Sequence, residues 1–158
     1  MARSTFVYVT YIRTTAERLW SALTTDTEFM KQYWFGTHCE SQWSAGSTWK
    51  MVQPSGTITD CGEILEAEPL RRLVIRWRHQ DRPELKAEGD SICTMELERV
   101  GPAVRLAITH CIECDPSQLI GAVSGGWPKI LSNLKSLLES GSAALLEPYP
   151  GAGACSST

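Results

Sequence analysis

The stretch SGGWPKILSNLKSLLES, residues 124–140, predicts the longest helix of the chain and decides the fold. Proline lacks an amide N–H and suits a first helical turn, so Pro128 predicts a helix start after a bend at Gly125 and Gly126. The apolar residues that follow recur at steps of three and four, which draws one stripe along a helix. This stripe must pack against the rest of the chain, most of which has the pattern of strands. The stripe comprises Trp127, Ile130, Leu131, Leu134, Leu137 and Leu138.

Upstream of this helix the sequence predicts an antiparallel meander. Six short segments are rich in β-branched and aromatic residues, and turn residues separate them. Links this short join antiparallel neighbours. Before the six segments the sequence predicts a further strand at residues 5–12 and then two short helices. Thr14 or Thr15 is the expected cap of the first helix, and Asp26 that of the second. The six segments are 37–43, 47–53, 57–67, 72–79, 91–99 and 103–113.

The predicted fold class is therefore α+β, with a curved antiparallel sheet of six to seven strands wrapped around a long C-terminal helix. A helical piece is also expected from Pro116 to Ser124, with Asp115 as its cap, before the bend at the two glycines. Residues 1–140 form one domain. Residues 141–158 are rich in Ser, Gly, Ala and Pro and predict a flexible tail.

Composition narrows the classes of partner. The 158 residues are 42% hydrophobic, as in a globular protein with one core. A net charge of −3 without a basic run argues against nucleic acid and anionic membranes as partners. No segment approaches the ~20 apolar residues that span a bilayer, and the first residues lack the pattern of an export signal. A cytoplasmic protein that does not insert into membranes is expected.

The six cysteines predict reduced thiols, because a chain of this size can build a core without disulfides. Cys111 and Cys114 have the spacing of a zinc or redox pair and follow His110. Zinc usually takes four ligands, however, and no second pair with this spacing exists. The alternative interpretation is that both cysteines are small buried hydrophobes. Neither a metal nor an organic cofactor is expected.

The order of these elements resembles the START-related helix-grip superfamily, also called SRPBCC or Bet v-like. Within it the chain is similar to the branch of the activator of heat shock protein 90 ATPase homologues. The resemblance implies a cavity between the sheet and the C-terminal helix. It does not identify the activity, because the superfamily includes carriers, receptors, cyclases and cochaperones. The motifs that carry it are ERLWSALTT (17–25), AGSTW (45–49), GEILEAEPLRRLVIRW (62–77), MELERVGPAVRLAITH (95–110) and GWPKILSNLKSLLE (126–139).

Strand parity predicts which side chains line that cavity. Four tryptophans and two methionines among them form a large, polarizable surface that suits a flat or aliphatic molecule. The alternative is that each of these residues is plain core. Parity gives conflicting faces for Glu63, Glu66 and Glu68. The predicted ligand-binding residues are Trp34, Phe35, Trp49, Met51, Ile75, Trp77, His79, Cys93, Met95, Ile108, His110, Trp127 and Leu131.

Three functions remain open at this point. The leading hypothesis is an intracellular protein that binds a small hydrophobic molecule in the cavity. The second is a cochaperone-like protein whose partner is a chaperone ATPase. The third is an enzyme of cyclase, dehydratase or hydrolase type, with His79 and His110 as candidate acid/base residues, although no GxSxG or HExxH motif occurs. A homodimer is a further possibility, because Val7 and Val9 of an exposed edge strand could pair two copies.

Overall fold

The computed structural model describes residues 3–147, in which seven strands form one antiparallel sheet. The order across the sheet is β1-β7-β6-β5-β4-β3-β2, so every strand from β2 to β7 lies beside its neighbour in sequence. This order confirms the predicted meander and places β1 and β2 at the edges. The strands are β1 (Ser4–Ile12), β2 (His38–Ser41), β3 (Thr48–Val52), β4 (Ile58–Glu68), β5 (Arg72–His79), β6 (Ser91–Val100) and β7 (Ala103–Ile112).

Four helices complete the described chain: α1 (Ala16–Leu23), α2 (Thr27–Tyr33), α3 (Pro83–Lys86) and α4 (Gln118–Ser140). Thr15 caps α1 by accepting a hydrogen bond from the N–H of Arg18, and Asp26 caps α2 in the same way. Both caps follow the sequence prediction. The short helix α3 lies in a segment for which the sequence predicted no element.

The predicted break at Gly125 and Gly126 is wrong, because α4 continues through both glycines and through Pro128. Proline inside a helix costs about 3 kcal/mol. Leu119 and Trp127 before Pro128 are each 3% exposed, and Leu131 and Leu134 after it are 1% and 0% exposed. Their packing stabilises one continuous helix over the local preference of the sequence.

The start of α4 also differs from the prediction. Ser117 is the N-cap, and its Oγ accepts a hydrogen bond from the N–H of Ile120 at 3.1 Å. Pro116 precedes the helix and is joined to Asp115 by a cis peptide bond. Asp115 instead accepts a hydrogen bond from the Ser4 hydroxyl at 3.1 Å, which ties this turn to the start of β1.

A register shift in β4 explains why sequence parity failed for its glutamates. The pairing of β4 with β5 shifts between Ile64 and Glu66, and such a bulge moves later side chains to the opposite face. Ile64 is buried, whereas all three glutamates lie on the solvent face. Each is in an ion pair: Glu63 with Arg76 at 2.7 Å, Glu66 with Arg72 at 3.3 Å, and Glu68 with Arg71 at 3.2 Å.

A second shift, in the pairing of β3 with β4, places two consecutive residues of β4 in the interior. Met51 pairs with Asp60 and Val52 pairs with Ile58, so that Thr59 is the extra residue. Thr59 and Asp60 are 7% and 4% exposed. An alternating strand would bury only one of the two.

The predicted tail is described only as far as residue 147. Asn133 of α4 makes two hydrogen bonds to Leu145. Its Oδ1 accepts from the N–H of Leu145 at 2.7 Å, and its Nδ2 donates to the carbonyl oxygen of Leu145 at 2.9 Å. Residues 141–147 therefore fold back along α4. The rest of the predicted tail, residues 148–158, lies outside the described residues.

Candidate functional site

Four tryptophans meet in the space between the sheet and α4. The ring centroids of Trp49 and Trp77 are 4.5 Å apart, those of Trp77 and Trp127 are 5.9 Å apart, and those of Trp34 and Trp127 are 5.4 Å apart. Trp49, Trp77 and Trp127 are at most 4% exposed. These indoles, here called the tryptophan cluster, fill much of the concavity of the sheet.

Gly62 of β4 lets two members of the tryptophan cluster touch. It is the register partner of both Trp49 on β3 and Trp77 on β5. Residues two strands apart are separated by about 10 Å, so a side chain between them would keep the rings apart. A Cβ atom placed on Gly62 would also lie 1.8 Å from the carbonyl oxygen of Arg76. Only glycine fits at this position.

A cleft of about 270 Å³ opens beside the tryptophan cluster. Three tryptophans, Trp34, Trp77 and Trp127, and the side chains of Met51 and Ile130 form its apolar walls. The start of α4 and the buried Leu85 of α3 close one side. This pocket, called the cleft below, is what remains of the cavity that the sequence predicted.

Small residues of α4 create the open space at the cleft. Ala122 and Gly126 line the cleft, and together with Gly121 and Gly125 they line an adjoining groove of about 530 Å³. A Cβ atom added to any of the three glycines would meet no atom of the described residues within 4 Å. A close approach of helix and sheet therefore does not explain Gly125 and Gly126. Their lack of side chains leaves open space beside α4.

The buried Asp60 and the partly buried His79 form a polar pair at the wall of the cleft. Asp60 Oδ2 accepts a hydrogen bond from Trp77 Nε1 at 2.6 Å and lies 2.9 Å from His79 Nδ1. A carboxylate only accepts, so Nδ1 is the protonated nitrogen of this contact, and in the neutral tautomer the lone pair is on Nε2. His79 Nε2 is buried and makes no hydrogen bond to the described residues.

Thr59 adds a second buried polar atom without a partner among the described residues. Its Oγ1 lacks a hydrogen bond, and the residue lines the cleft beside Asp60 and His79. Buried polar atoms are nearly always paired, so two such atoms at one cleft mark a place where a ligand can bind.

His110 has a different environment and a structural role. Trp127 Nε1 donates to its Nδ1 at 3.2 Å, so the ring proton is on Nε2, which contacts Ser91 Oγ at 2.8 Å. The Ser91 hydroxyl donates to the carbonyl oxygen of Trp77 at 3.3 Å. Burial lowers the pKa of His110 to about 4. Both ring nitrogens are engaged, and His110 does not line the cleft.

The structure separates the predicted ligand-binding residues into three groups. Five line the cleft: Trp34, Met51, Trp77, His79 and Trp127. Phe35 lines the adjoining groove. The remaining seven are buried in the packed core and do not line the cleft: Trp49, Ile75, Cys93, Met95, Ile108, His110 and Leu131.

Sequence reasoning missed the role of Asp60 and Thr59. Ile64 is a clear core residue. Every second residue of a strand lies on the same face, so Asp60, two such steps before Ile64, shares its face. That signal was available. Thr59 left no such signal, because the register shift that buries it depends on how β3 pairs with β4.

The carboxylate of Glu88 fastens the segment that closes the cleft. It accepts hydrogen bonds from the Ser117 hydroxyl at 2.6 Å and from the N–H groups of Gln118 at 2.7 Å and Leu119 at 3.3 Å. Burial raises the pKa of Glu88, but these three hydrogen bonds lower it by a larger amount. The pKa therefore lies below its usual value of 4.5. Glu88 thus joins the residues after α3 to the N-terminus of α4, where a negative charge is favourable.

Replacing Glu88 with glutamine is expected to loosen α3 and cost about 1 kcal/mol of unfolding free energy, as for helix caps. Because the pKa is lowered in the folded state, the stabilisation is complete above pH 4.5 and is lost as the pH falls through the lowered value. Hydrogen exchange should become faster in residues 83–90. The control is Glu84→Gln, whose carboxylate contacts the exposed Arg82 at 3.5 Å. Equal exchange in the two variants would contradict this role.

A concavity of about 800 Å³, larger than the cleft, lies on the outer face of the sheet. Charged side chains line it, and they already pair with one another, as in Arg76 with Glu63 and Arg78 with Asp90, both at 2.7 Å. Exposed ion pairs of this kind are common on protein surfaces. The smaller cleft, with its apolar walls and unpartnered polar atoms, is the stronger candidate site.

Residues 3–147 contain no group of three or more His, Cys, Asp or Glu side chains placed to hold a metal ion. The five cysteines in this part of the chain are free thiols, including Cys111 and Cys114. None of the described helices is long and apolar enough to cross a membrane.

Comparison with known proteins places the chain among relatives of a chaperone activator. A family model described as Activator of Hsp90 ATPase homolog 1-like protein matches residues 13–139. No curated protein matches the chain by sequence.

Solved structures share the fold at low sequence identity. CalU16 from Micromonospora echinospora is 20% identical, with a TM-score of 0.67, over 86% of this chain and 76% of that one. The Aha1 dimer from Colwellia psychrerythraea is 22% identical, with a TM-score of 0.69, over 87% and 98%. An Hsp90 activator from Plasmodium falciparum is 21% identical, with a TM-score of 0.68, over 85% and 95%. These similarities establish the helix-grip fold. The family model spans most of the sequence, and the chain therefore belongs to the Activator of Hsp90 ATPase homolog 1-like protein family.

Proposed function

We propose that this protein binds a small, mainly apolar molecule with one polar group in the cleft between the sheet and α4. The observation that carries this proposal is the position of His79 Nε2, which has no hydrogen-bond partner among the described residues at the wall of an apolar cleft. The tryptophan cluster supplies flat faces for the apolar part of the ligand. The polar group of the ligand pairs with His79 and fixes its orientation.

The size of the cleft limits the ligand. Its volume of about 270 Å³ lies at the lower end of ligand pockets, which range from about 300 to 1,000 Å³. A molecule of two fused rings suits this space, and a longer one would extend past Gly126 into the adjoining groove. The packed core residues Cys93, Met95 and Ile108 exclude deeper entry.

The test uses 2-naphthol as the probe and 2-methoxynaphthalene as the matched compound without a hydroxyl donor. We expect 2-naphthol to shift the indole N–H signals of Trp34, Trp77 and Trp127 in a ¹H–¹⁵N NMR titration. Trp20 does not line the cleft and should not shift. The methoxy compound should bind more weakly, because it cannot donate to His79 Nε2.

A variant that fills the cleft gives the sharper test. Gly126→Leu adds a side chain into the open space and improves helix propensity, so the protein should stay folded while 2-naphthol binding is lost. Ser132→Leu places the same side chain on the exposed face of α4 and should leave binding unchanged. Unaltered binding by the Gly126 variant, or no indole shift in the native protein, would refute the proposed site.

An interaction role is the second candidate, and an exposed apolar stripe favours it. On the edge strand β1, Val7, Val9 and Tyr11 share the outer face and are 57%, 39% and 51% exposed. We propose that a second copy of the chain covers this stripe, since one structure with this fold is a dimer. Sedimentation velocity should show a dimer that Val9→Lys dissociates. A native protein that stays monomeric at high concentration would exclude this surface.

A chaperone partner is the alternative that the family description and the activator from Plasmodium falciparum favour. In that case the purified chain should raise the ATPase rate of an Hsp90 chaperone. An unchanged rate across an excess of the chain would remove this candidate and leave the cleft proposal untouched.

A further inference from the structure

We propose that the cleft also transfers protons: His79 is a general base that removes a proton from the carbon next to the carbonyl group of a bound, mainly apolar ketone. This inference rests on the proposed function, because the ketone must first bind in the cleft. It assigns the site a reaction and a substrate class.

The base is oriented by contacts on the side of the ring away from the ligand. His79 Nδ1 donates to Asp60 Oδ2 at 2.9 Å, and the same oxygen accepts from Trp77 Nε1 at 2.6 Å. These bonds hold the ring and leave the lone pair on Nε2. A charged imidazole that forms during the reaction would lie against a carboxylate that is only 4% exposed. A base held by a third group in this way is a common arrangement in acid/base catalysis.

The two polar atoms of the cleft that lack a partner among the described residues match a ketone. Thr59 offers a buried hydroxyl donor without a partner among the described residues, and His79 Nε2 offers an acceptor. A ketone presents the complementary pair, a carbonyl oxygen that accepts and a C–H on the next carbon that can be given up.

The other buried histidine lacks these features, which singles out His79. Both ring nitrogens of His110 are occupied, by Trp127 Nε1 and by Ser91 Oγ. His110 also lies outside the lining of the cleft. Of the two candidates from the sequence, only His79 has a ring nitrogen without a hydrogen-bond partner among the described residues.

The proposed step balances without any further reactant. The C–H bond breaks as a new N–H bond forms on His79 Nε2, and the electron pair of the C–H bond enters the carbon–carbon bond. The carbonyl π electrons move to oxygen, where the Thr59 hydroxyl stabilises the enolate by donating a hydrogen bond. Return of the proton from His79 to carbon or to oxygen completes the tautomerisation, and no oxidation or reduction occurs.

The test measures deuterium incorporation into 2-tetralone, a two-ring ketone, at its C1 position in D₂O by ¹H NMR. The native protein should exchange this position faster than buffer alone. His79→Gln should reduce the excess rate by about 100-fold or more, the usual contribution of a general base. The matched control is His38→Gln, because His38 does not line the cleft and should leave the rate unchanged.

Asp60 is a positioning residue, and its role has a separate readout. Asp60→Asn keeps an oxygen acceptor but removes the negative charge, so the exchange rate should fall while the dissociation constant for 2-tetralone stays the same. A structural role alone would change both. The indole N–H signals monitor folding and binding in each variant.

Two outcomes separate this inference from the proposed function. If 2-tetralone shifts the indole signals of Trp77 and Trp127 but the native protein does not accelerate exchange, the proton-transfer proposal is overturned and the binding proposal stands. If neither 2-tetralone nor 2-naphthol shifts these signals, the binding proposal fails and this inference fails with it. Exchange that survives in His79→Gln assigns the base to another group.

Discussion

Gly62→Ala is expected to lower the free energy of unfolding by about 3 kcal/mol or more, the upper range for overpacking. The added methyl would lie 1.8 Å from the carbonyl oxygen of Arg76 on the neighbouring strand. Backbone of β5 cannot move away without breaking its pairing, and the pair of Trp49 and Trp77 would be displaced as well. Urea unfolding followed by tryptophan fluorescence would measure the loss.

The matched control is Gly125→Ala, which makes the same chemical change in a helix where the new methyl meets nothing within 4 Å among the described residues. This variant should be stabilised by roughly 0.5–1 kcal/mol, because alanine favours the helix. Equal stability of Gly62→Ala and the native protein would show that the backbones of β4 and β5 are farther apart than this contact requires. The prediction thus tests the strand pairing that positions the cleft.

Acidification from pH 6.5 to 4 is expected to cost the protein about 3 kcal/mol through His110 alone. The sign follows from burial, which lowers the pKa of His110 from 6.5 to about 4. Within this window the unfolded chain binds a proton that the folded protein does not, so stability falls as the pH falls. Well above pH 6.5 both states are neutral and the contribution is constant. A protonated ring would also turn Nδ1 into a donor facing the Trp127 N–H.

The comparison of interest is the pH dependence of the unfolding free energy for native protein and His110→Gln. Acidic side chains titrate in both proteins, so the difference between the two curves isolates the histidine. The native protein should lose about 1.4 kcal/mol per pH unit more than the variant within the window. Identical slopes for the two proteins would contradict the burial of His110.

Local signals in the sequence were sufficient for most of the fold. The caps at Thr15 and Asp26 are decided by side chains that reach only three residues along the chain. The alternation in β5 to β7 gave correct inward faces for Trp77 and His110 because these strands pair without a bulge at those positions. Where pairing shifts register, as after Ile64, alternation along one strand carries no information about the shift.

The continuity of α4 shows the limit of local rules in a different way. Gly125, Gly126 and Pro128 all weaken a helix in isolation, and the sequence accordingly predicted a break. Packing of the buried residues on either side of Pro128 stabilises one continuous helix instead. Gly126 has a further role that no helix rule describes, because it leaves open space in the cleft, and Gly125 does the same in the adjoining groove.

The candidate site was only half visible before the fold was known. His79 was a named candidate, and Trp34, Trp77 and Trp127 were expected to face the interior. The pairing of His79 with Asp60 joins residues 19 positions apart across two strands, and it depends on the register of β4 with β5. The contact that orients His79 in the proposed base role therefore could not be argued from residue type alone.

By itself the sequence determined the order of the elements, the meander and the apolar stripe of the last helix. These features follow from side-chain periodicity and short-range caps and turns, which are properties of neighbouring residues. Only the tertiary structure decided how the concavity is divided between the tryptophan cluster and the open cleft, and which histidine keeps a free nitrogen. Both depend on distances between residues far apart in the chain, and such distances are set when the sheet and α4 pack together.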